Sequence, residues 1–212
     1  MTQGALSRPW MPEALMHVHV FKGVDFAWYG DGRPYPDVRH QKTLNDGTIR
    51  EYAATLAVDR DVSQTWAEFG VQDGISANYF LTRLPATCDF YLFDAFKGLP
   101  EPWCNKAKGH RASQGVPVFT DPRVHIVEGW FADTLPFDPL LAFVHVDCDL
   151  YSSTKDVLAG INVCKGSLIL FDEMFGYDGW QEHEYKALME WGRVFRFIAR
   201  DDRHRALIEV MA

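Results

Sequence analysis

Short apolar runs recur through the last two thirds of the chain, separated by stretches with helical spacing. Residues 65–70 (TWAEFG), 90–93 (FYLF), 124–127 (VHIV), 141–146 (LAFVHV) and 167–171 (SLILF) read as strands. Residues 47–58, 76–84, 153–161 and 183–193 read as helices. Strands that are short and apolar throughout are those buried on both faces. Alternating with helices, they imply βαβ units and an α/β fold, with a mostly parallel sheet. Residues 194–199 and 206–211, joined by the polar stretch 200–205, read as a closing antiparallel pair. In such a sheet the ligand sits beyond the carboxyl ends of the strands, where the strand order reverses.

The rest of the composition narrows the choice. A chain of 212 residues fits one compact domain with a short appended segment. Its net charge of -8 and scattered basic residues argue against nucleic acid as a partner. Cys88, Cys104, Cys148 and Cys164 form no CxxC pair, which indicates neither a zinc site nor a redox motif. They read as small buried hydrophobes in a reducing compartment. No signal-peptide core and no membrane-length apolar run is seen, so a cytoplasmic protein with no membrane partner is expected. Residues 1–37 are rich in Pro, Gly and aromatics, as an irregular lead-in would be. Residues 1–60 are therefore taken as a lead-in and 61–212 as the main domain.

The strand ends carry the chemistry. After the first strand come Glu68, Gly70, Gly74 and Ser76. Glycines at a strand-to-helix turn let backbone approach a ligand, and the helix start supplies free N–H groups. A plain tight turn is the alternative, and the full GxGxxG of dinucleotide binders is missing, which disfavours a dehydrogenase. Asp94 ends the second strand, placed either to accept ribose hydroxyls or to cap a turn. Gly129, Trp130 and Phe131 follow the third strand and could stack on a base or pack in the core. The fourth and fifth strands end in Asp147 and Asp149, and in Asp172 and Glu173. Four converging carboxylates repel unless a cation offsets them or one takes a proton. A hard divalent ion such as Mg²⁺ suits oxygen-only donors. The alternative is a solvated rim with Asp149 beside the next helix.

These motifs stand in one order: the 68–76 turn, FDAFKGLPE from Phe93, GWFADTLP from Gly129, HVDCDLYSST from His145, and Phe171-Asp172-Glu173. In that order they resemble the class I S-adenosylmethionine-dependent O-methyltransferases related to macrocin O-methyltransferase. The resemblance runs from about residue 65 to residue 186. It implies a Rossmann-like seven-stranded sheet with an antiparallel last strand and helices on both faces. It implies that Glu68, Gly70, Gly74, Ser76 and Asp147 border the methionine part of the cofactor. Asp94, with Ala95 and Phe96, would hold the ribose, and Gly129, Trp130 and Phe131 would border the adenine. Asp147, Asp172 and Glu173 would bind Mg²⁺, although the family pair is commonly Asp-Asp where this chain has Asp172-Glu173. Asp149 would serve as base, with His145 and His183 as further candidates.

The acceptor expected on this resemblance is a small molecule, a sugar or glycoside, whose vicinal hydroxyls could chelate one ion. A catechol or other phenol would be served by the same chemistry. A non-catalytic nucleotide-binding module is the reading from another class, and it has no use for four carboxylates at the acceptor side. The first sixty residues are expected to shape the choice of acceptor, and a homodimer is compatible with all of this.

Overall fold

The computed structural model describes residues 26–28, 34–36, 46–60, 62, 65–201 and 203–212, with side chains from residue 49 onward. Two short strands in the lead-in, β1 (Phe26–Trp28) and β2 (Pro34–Pro36), pair antiparallel. This corrects the reading of residues 1–37 as wholly irregular. Pro34 and Pro36 are tolerated because a two-stranded ribbon is all edge and leaves positions where no N–H is needed. The rest of that segment, and its aromatic side chains, lie outside the described residues.

Helix α1 (Asp46–Val58) follows, then β3 (Thr65–Phe69), α2 (Ile75–Leu81), β4 (Asp89–Asp94), β5 (Val124–Glu128), α3 (Phe131–Thr134) and β6 (Phe137–Leu140). Next come β7 (Phe143–Val146), α4 (Tyr151–Gly160), β8 (Ile161–Asn162), β9 (Leu168–Phe171), α5 (Glu184–Met189), β10 (Phe195–Arg200) and β11 (Ala206–Val210). The main sheet runs β10-β11-β9-β7-β3-β4-β5. Strands β3, β4, β5, β7 and β9 are parallel, and β11 is antiparallel to both its neighbours. The order reverses at β3: the chain moves outward to β4 and β5, then returns to place β7 on the other side of β3.

Period-two alternation decides which side chain faces which layer. Ala67, Phe69, Phe93, Val144, Val146, Ile169 and Phe171 pack with Val157 and Leu158 of α4 and Ala187 and Leu188 of α5. Trp66, Phe90, Leu92, Phe143, Leu168 and Leu170 face the other way, onto Ile49, Ala53, Ala54 and Ala57 of α1 and Ala77 and Phe80 of α2. Positions 49, 53, 54 and 57 fall on one helical face, which is why α1 docks there. Each buried Phe or Leu contributes about 1.5–3 kcal/mol through removal of apolar surface from water. Two polar side chains share the α1/α2 face: Glu68 and His145 are directly paired across β3 and β7. Both are fully buried.

The remaining differences from the sequence reading are at ends and in short pieces. Helix α2 stops at Leu81 rather than 84, since Pro85 disfavours helical geometry just before it. The helix read over 183–193 is shorter: a 3-10 turn at Trp180–Glu182 precedes it, and α5 spans Glu184–Met189, ending ahead of Gly192. β6 and β8 form a small parallel pair outside the main sheet. Such short segments carry too few residues to show a period.

Candidate active site

A cavity of about 650 Å³ opens at the switch between β3 and β7. Its size and place are those of a small-molecule site in an open α/β sheet. One end is made by the turns after β3, β4 and β5, and the other by the acids after β7 and β9.

At the first end the backbone does most of the work. Gly70 has φ +91°, and a Cβ there would lie 1.9 Å from the Asp147 carbonyl oxygen. Only glycine lets the end of β3 pass so close to the end of β7. Asp94 accepts three backbone N–H groups: Val71 at 2.7 Å and Gln72 at 2.8 Å on one oxygen, and Phe96 at 2.7 Å on the other. Its carboxylate therefore ties the β3 turn to the β4 turn, the capping role that was the alternative to ribose binding, while it also lines the cavity. Gly74 caps α2 in the left-handed conformation. The Ser76 hydroxyl donates to Glu68 Oε1 at 2.6 Å. Phe131 packs edge-on against Phe69, and Trp130, Ala132 and Asp133 complete the wall.

The structure brings Gly70, Ser76, Asp94, Ala95, Gly129, Trp130, Phe131 and Asp147 to the cavity wall. Glu68, Gly74 and Phe96 stand outside that lining. Glu68 lies beneath it, fully buried, and supports Ser76 from below.

At the second end, Asp147, Asp149, Asp172 and Glu173 all line the cavity, with Arg50, Lys108 and Arg111. Donor atoms of His145, Asp147 and Asp172 lie within 4.8 Å of one another, and Glu173 is outside that group. Asp149 has φ +61°, a left-handed conformation that Asp tolerates better than most residues. Burial pushes its carboxyl up to about 6, opposed by the charge of Arg111. Burial also raises Glu173 to about 8, with the charges of Asp172 and Asp149 adding to the effect. Asp147 is raised by burial and by the neighbouring Asp172. Glu184, fully buried behind Glu173, accepts the Glu173 N–H at 3.1 Å. Its own carboxyl is pushed up by burial.

Asp172 is different. Burial alone would raise it, but His145 and Arg205 override this and hold it well below the usual carboxylate range. Arg205 grips it with a fork, Nε to Oδ1 at 2.6 Å and Nη2 to Oδ2 at 3.0 Å. Arg50 Nη2 donates to Oδ1 at 3.0 Å. His145 Nε2 lies 3.4 Å from the same oxygen, and its Nδ1 lies 3.5 Å from Glu68 Oε2. Burial lowers the imidazole pKa, but Asp172 and Glu68 outweigh it and bring it up to about 9. Asp201 in turn holds Arg205, accepting its backbone N–H at 2.9 Å and its Nη1 at 3.1 Å. Three carboxylates, Glu68, Asp172 and Asp201, thus meet three cations, Arg50, Arg205 and His145.

His145 is fully buried under the cavity floor and is not part of its lining. His183 is also outside the lining, packed against Trp103 and Tyr177. Of the three residues read as candidate bases, Asp149 alone reaches the cavity. Sequence reasoning missed Arg50, Arg205, Asp201 and Glu184. No motif marks them, and Arg50 and Asp172 are 122 residues apart in the chain.

Residues 77–188 match the model of the macrocin O-methyltransferase (TylF) family. The chain belongs to that family. It is an S-adenosylmethionine-dependent O-methyltransferase of the class I fold, as the sheet order and the motif order had indicated. It is 27% identical over 185 residues to 8-demethyl-8-(2,3-dimethoxy-alpha-L-rhamnosyl)-tetracenomycin-C 4'-O-methyltransferase of Streptomyces olivaceus, covering 73% of this chain and 70% of that one. A shorter stretch of 57 residues is 40% identical to demethyldecarbamoylnovobiocin O-methyltransferase of Streptomyces niveus, covering 25% and 22%. Among solved structures, the O-methyltransferase NovP superposes with a TM-score of 0.60 at 22% identity, over 78% of this chain and 79% of that one. That likeness concerns the fold. No helix among the described residues is long and apolar enough to cross a membrane.

Proposed function

We propose that this enzyme methylates a hydroxyl of a sugar or glycoside, with S-adenosylmethionine at the glycine-rich end of the cavity and the acceptor at the acidic end. The observation that carries the reading is the division of one cavity into a backbone-lined end and a carboxylate-lined end across the strand switch. The glycosyl-directed name of the Streptomyces olivaceus relative supports the choice of acceptor. Asp94, Gly129, Trp130 and Phe131 are assigned to the adenosine part of the cofactor, and Gly70 and Ser76 to its methionine part.

The donor chemistry of the acidic end fits a hard divalent cation. It offers carboxylate oxygens, and those of Asp147 and Glu173 are raised because burial strips away water and like charges crowd them. Asp147, Asp172 and Glu173 are the residues that would hold Mg²⁺. When bound, the ion would lower the pKa of an acceptor hydroxyl. Asp149 is positioned to take the hydroxyl proton, its backbone fixed between β7 and α4. Because the two ends belong to one cavity, an acceptor held at the acidic end would face the methyl group of the cofactor, and methyl transfer demands such an in-line approach. Residues 1–60 are assigned to the acceptor side, because α1 already places Arg50 in the cavity wall.

The test is transfer of a labelled methyl group to a panel of sugars, glycosides and catechols, with and without EDTA. Turnover on a glycoside that EDTA abolishes is expected. Efficient transfer to catechols and to no sugar would reject the acceptor, and full activity in EDTA would reject the ion.

A further inference from the structure

A file of side chains runs beneath the cavity floor from one end to the other. Ser76 lines the glycine-rich end and gives its hydroxyl hydrogen to Glu68 Oε1 at 2.6 Å. The other Glu68 oxygen, Oε2, lies 3.5 Å from His145 Nδ1, and neither atom has a hydrogen-bond partner among the described residues. His145 Nε2 lies 3.4 Å from Asp172 Oδ1, and Asp172 lines the acidic end. Glu68 and His145 are fully buried, with Phe80 edge-on to the imidazole at 5.0 Å. Both ring distances exceed the usual hydrogen-bond length of about 2.7–3.2 Å, so the ring is shared between two acceptors and saturates neither. The two N–H directions of an imidazole diverge widely, and a shift toward Glu68 lengthens the contact with Asp172. The Arg205 fork keeps Asp172 in place when the ring moves. A serine hydroxyl has one hydrogen to give. Once it turns to the carboxylate of the cofactor's methionine part, Glu68 loses that donor, and His145 is the buried donor beside it.

We infer that His145 is a positioning residue that links the two ends: engagement of Ser76 by the cofactor lets Glu68 draw the ring away from Asp172, which leaves that carboxylate freer to hold a divalent ion. The inference rests on the cofactor placement and the metal reading above. By linkage, the ion strengthens cofactor binding by the same factor.

The experiment uses the full chain and Mn²⁺ as a paramagnetic probe, with free ion measured by electron paramagnetic resonance. S-adenosylhomocysteine is the cofactor probe, because its sulfur carries no charge to repel the ion directly. At saturation it is expected to tighten Mn²⁺ binding by the parent about three- to tenfold. Ser76→Ala leaves Glu68 without its hydroxyl donor from the start. It should bind Mn²⁺ in the absence of S-adenosylhomocysteine as tightly as the parent does in its presence. His145→Phe keeps a ring but has no donor, and its Mn²⁺ affinity should be the same with and without S-adenosylhomocysteine. A purely structural role would weaken binding in both conditions and leave the difference between them. Melting curves in EDTA report whether each variant is folded, and if His145→Phe is not, Ser76→Ala decides the matter. Three results overturn the inference and leave the metal reading standing: parent Mn²⁺ binding that S-adenosylhomocysteine does not change, a gain that survives His145→Phe, or Ser76→Ala that binds no tighter than the parent without S-adenosylhomocysteine. Absence of Mn²⁺ binding by the parent in both conditions overturns the two together.

Discussion

The two ends of the cavity solve the same problem, holding charge in a partly dry place, in opposite ways. At the glycine-rich end the single acid that matters, Asp94, is surrounded by backbone N–H groups from its own and the neighbouring turn. At the other end Asp172 is held by side chains delivered from α1 and from the β10–β11 turn, while Asp147, Asp149 and Glu173 are raised by burial. The first end is complete once three adjacent strands, β3, β4 and β5, have paired. The second depends on elements from both ends of the chain arriving on one face of the sheet.

The comparison can be tested most sharply at Asp149. Asp149→Asn removes the proposed base without touching the turn after β3, so turnover should fall about 10²- to 10⁴-fold. Affinity for S-adenosylhomocysteine, measured by calorimetry, should remain close to that of the parent. A comparable loss of cofactor affinity would mean that the two ends are not separable.

Gly70→Ala attacks the point where the ends touch. A Cβ there meets the Asp147 carbonyl at 1.9 Å on a backbone with positive φ. A destabilisation of about 3 kcal/mol or more is expected in urea unfolding, together with loss of both cofactor and metal binding. A variant as stable as the parent would show that β3 and β7 are free to move apart.

The smallest effect is expected from Asp94→Asn. Its amide would turn N–H toward N–H donors at one of the three bonds, at a cost of about 1–3 kcal/mol. S-adenosylhomocysteine binding should weaken while Mn²⁺ binding stays as in the parent. Loss of both would show that the turn brace also shapes the acidic end.

Much of this was legible in the chain itself. The strands are set by runs such as FYLF and SLILF, whose apolar character on both faces admits few other solutions; the observed β4 is one residue longer at each end than the reading, and β9 starts one residue later. The residues at the strand ends follow from the strands, so Gly70, Asp94, Asp147 and Asp172 could be named before any geometry was known. Even the shared face of Glu68 and His145 follows from period two, once β3 and β7 are neighbours.

What each of those residues does was decided by tertiary structure. Asp94 reads equally as a ribose ligand or a turn brace, and only the approach of the Val71 and Gln72 amides shows the brace. His145 reads as a candidate base, and only the central place of its strand shows that the ring is fully buried, with Phe80 packed on it, outside the cavity lining. Asp172 reads as one of four equivalent acids until Arg50 and Arg205 reach it from 122 and 33 residues away. Patterning along a chain records which residues face inward, because that follows from the local period of each element. The charge around a buried carboxylate is set by whichever groups the folded layers bring within a few ångströms, and no local period records that.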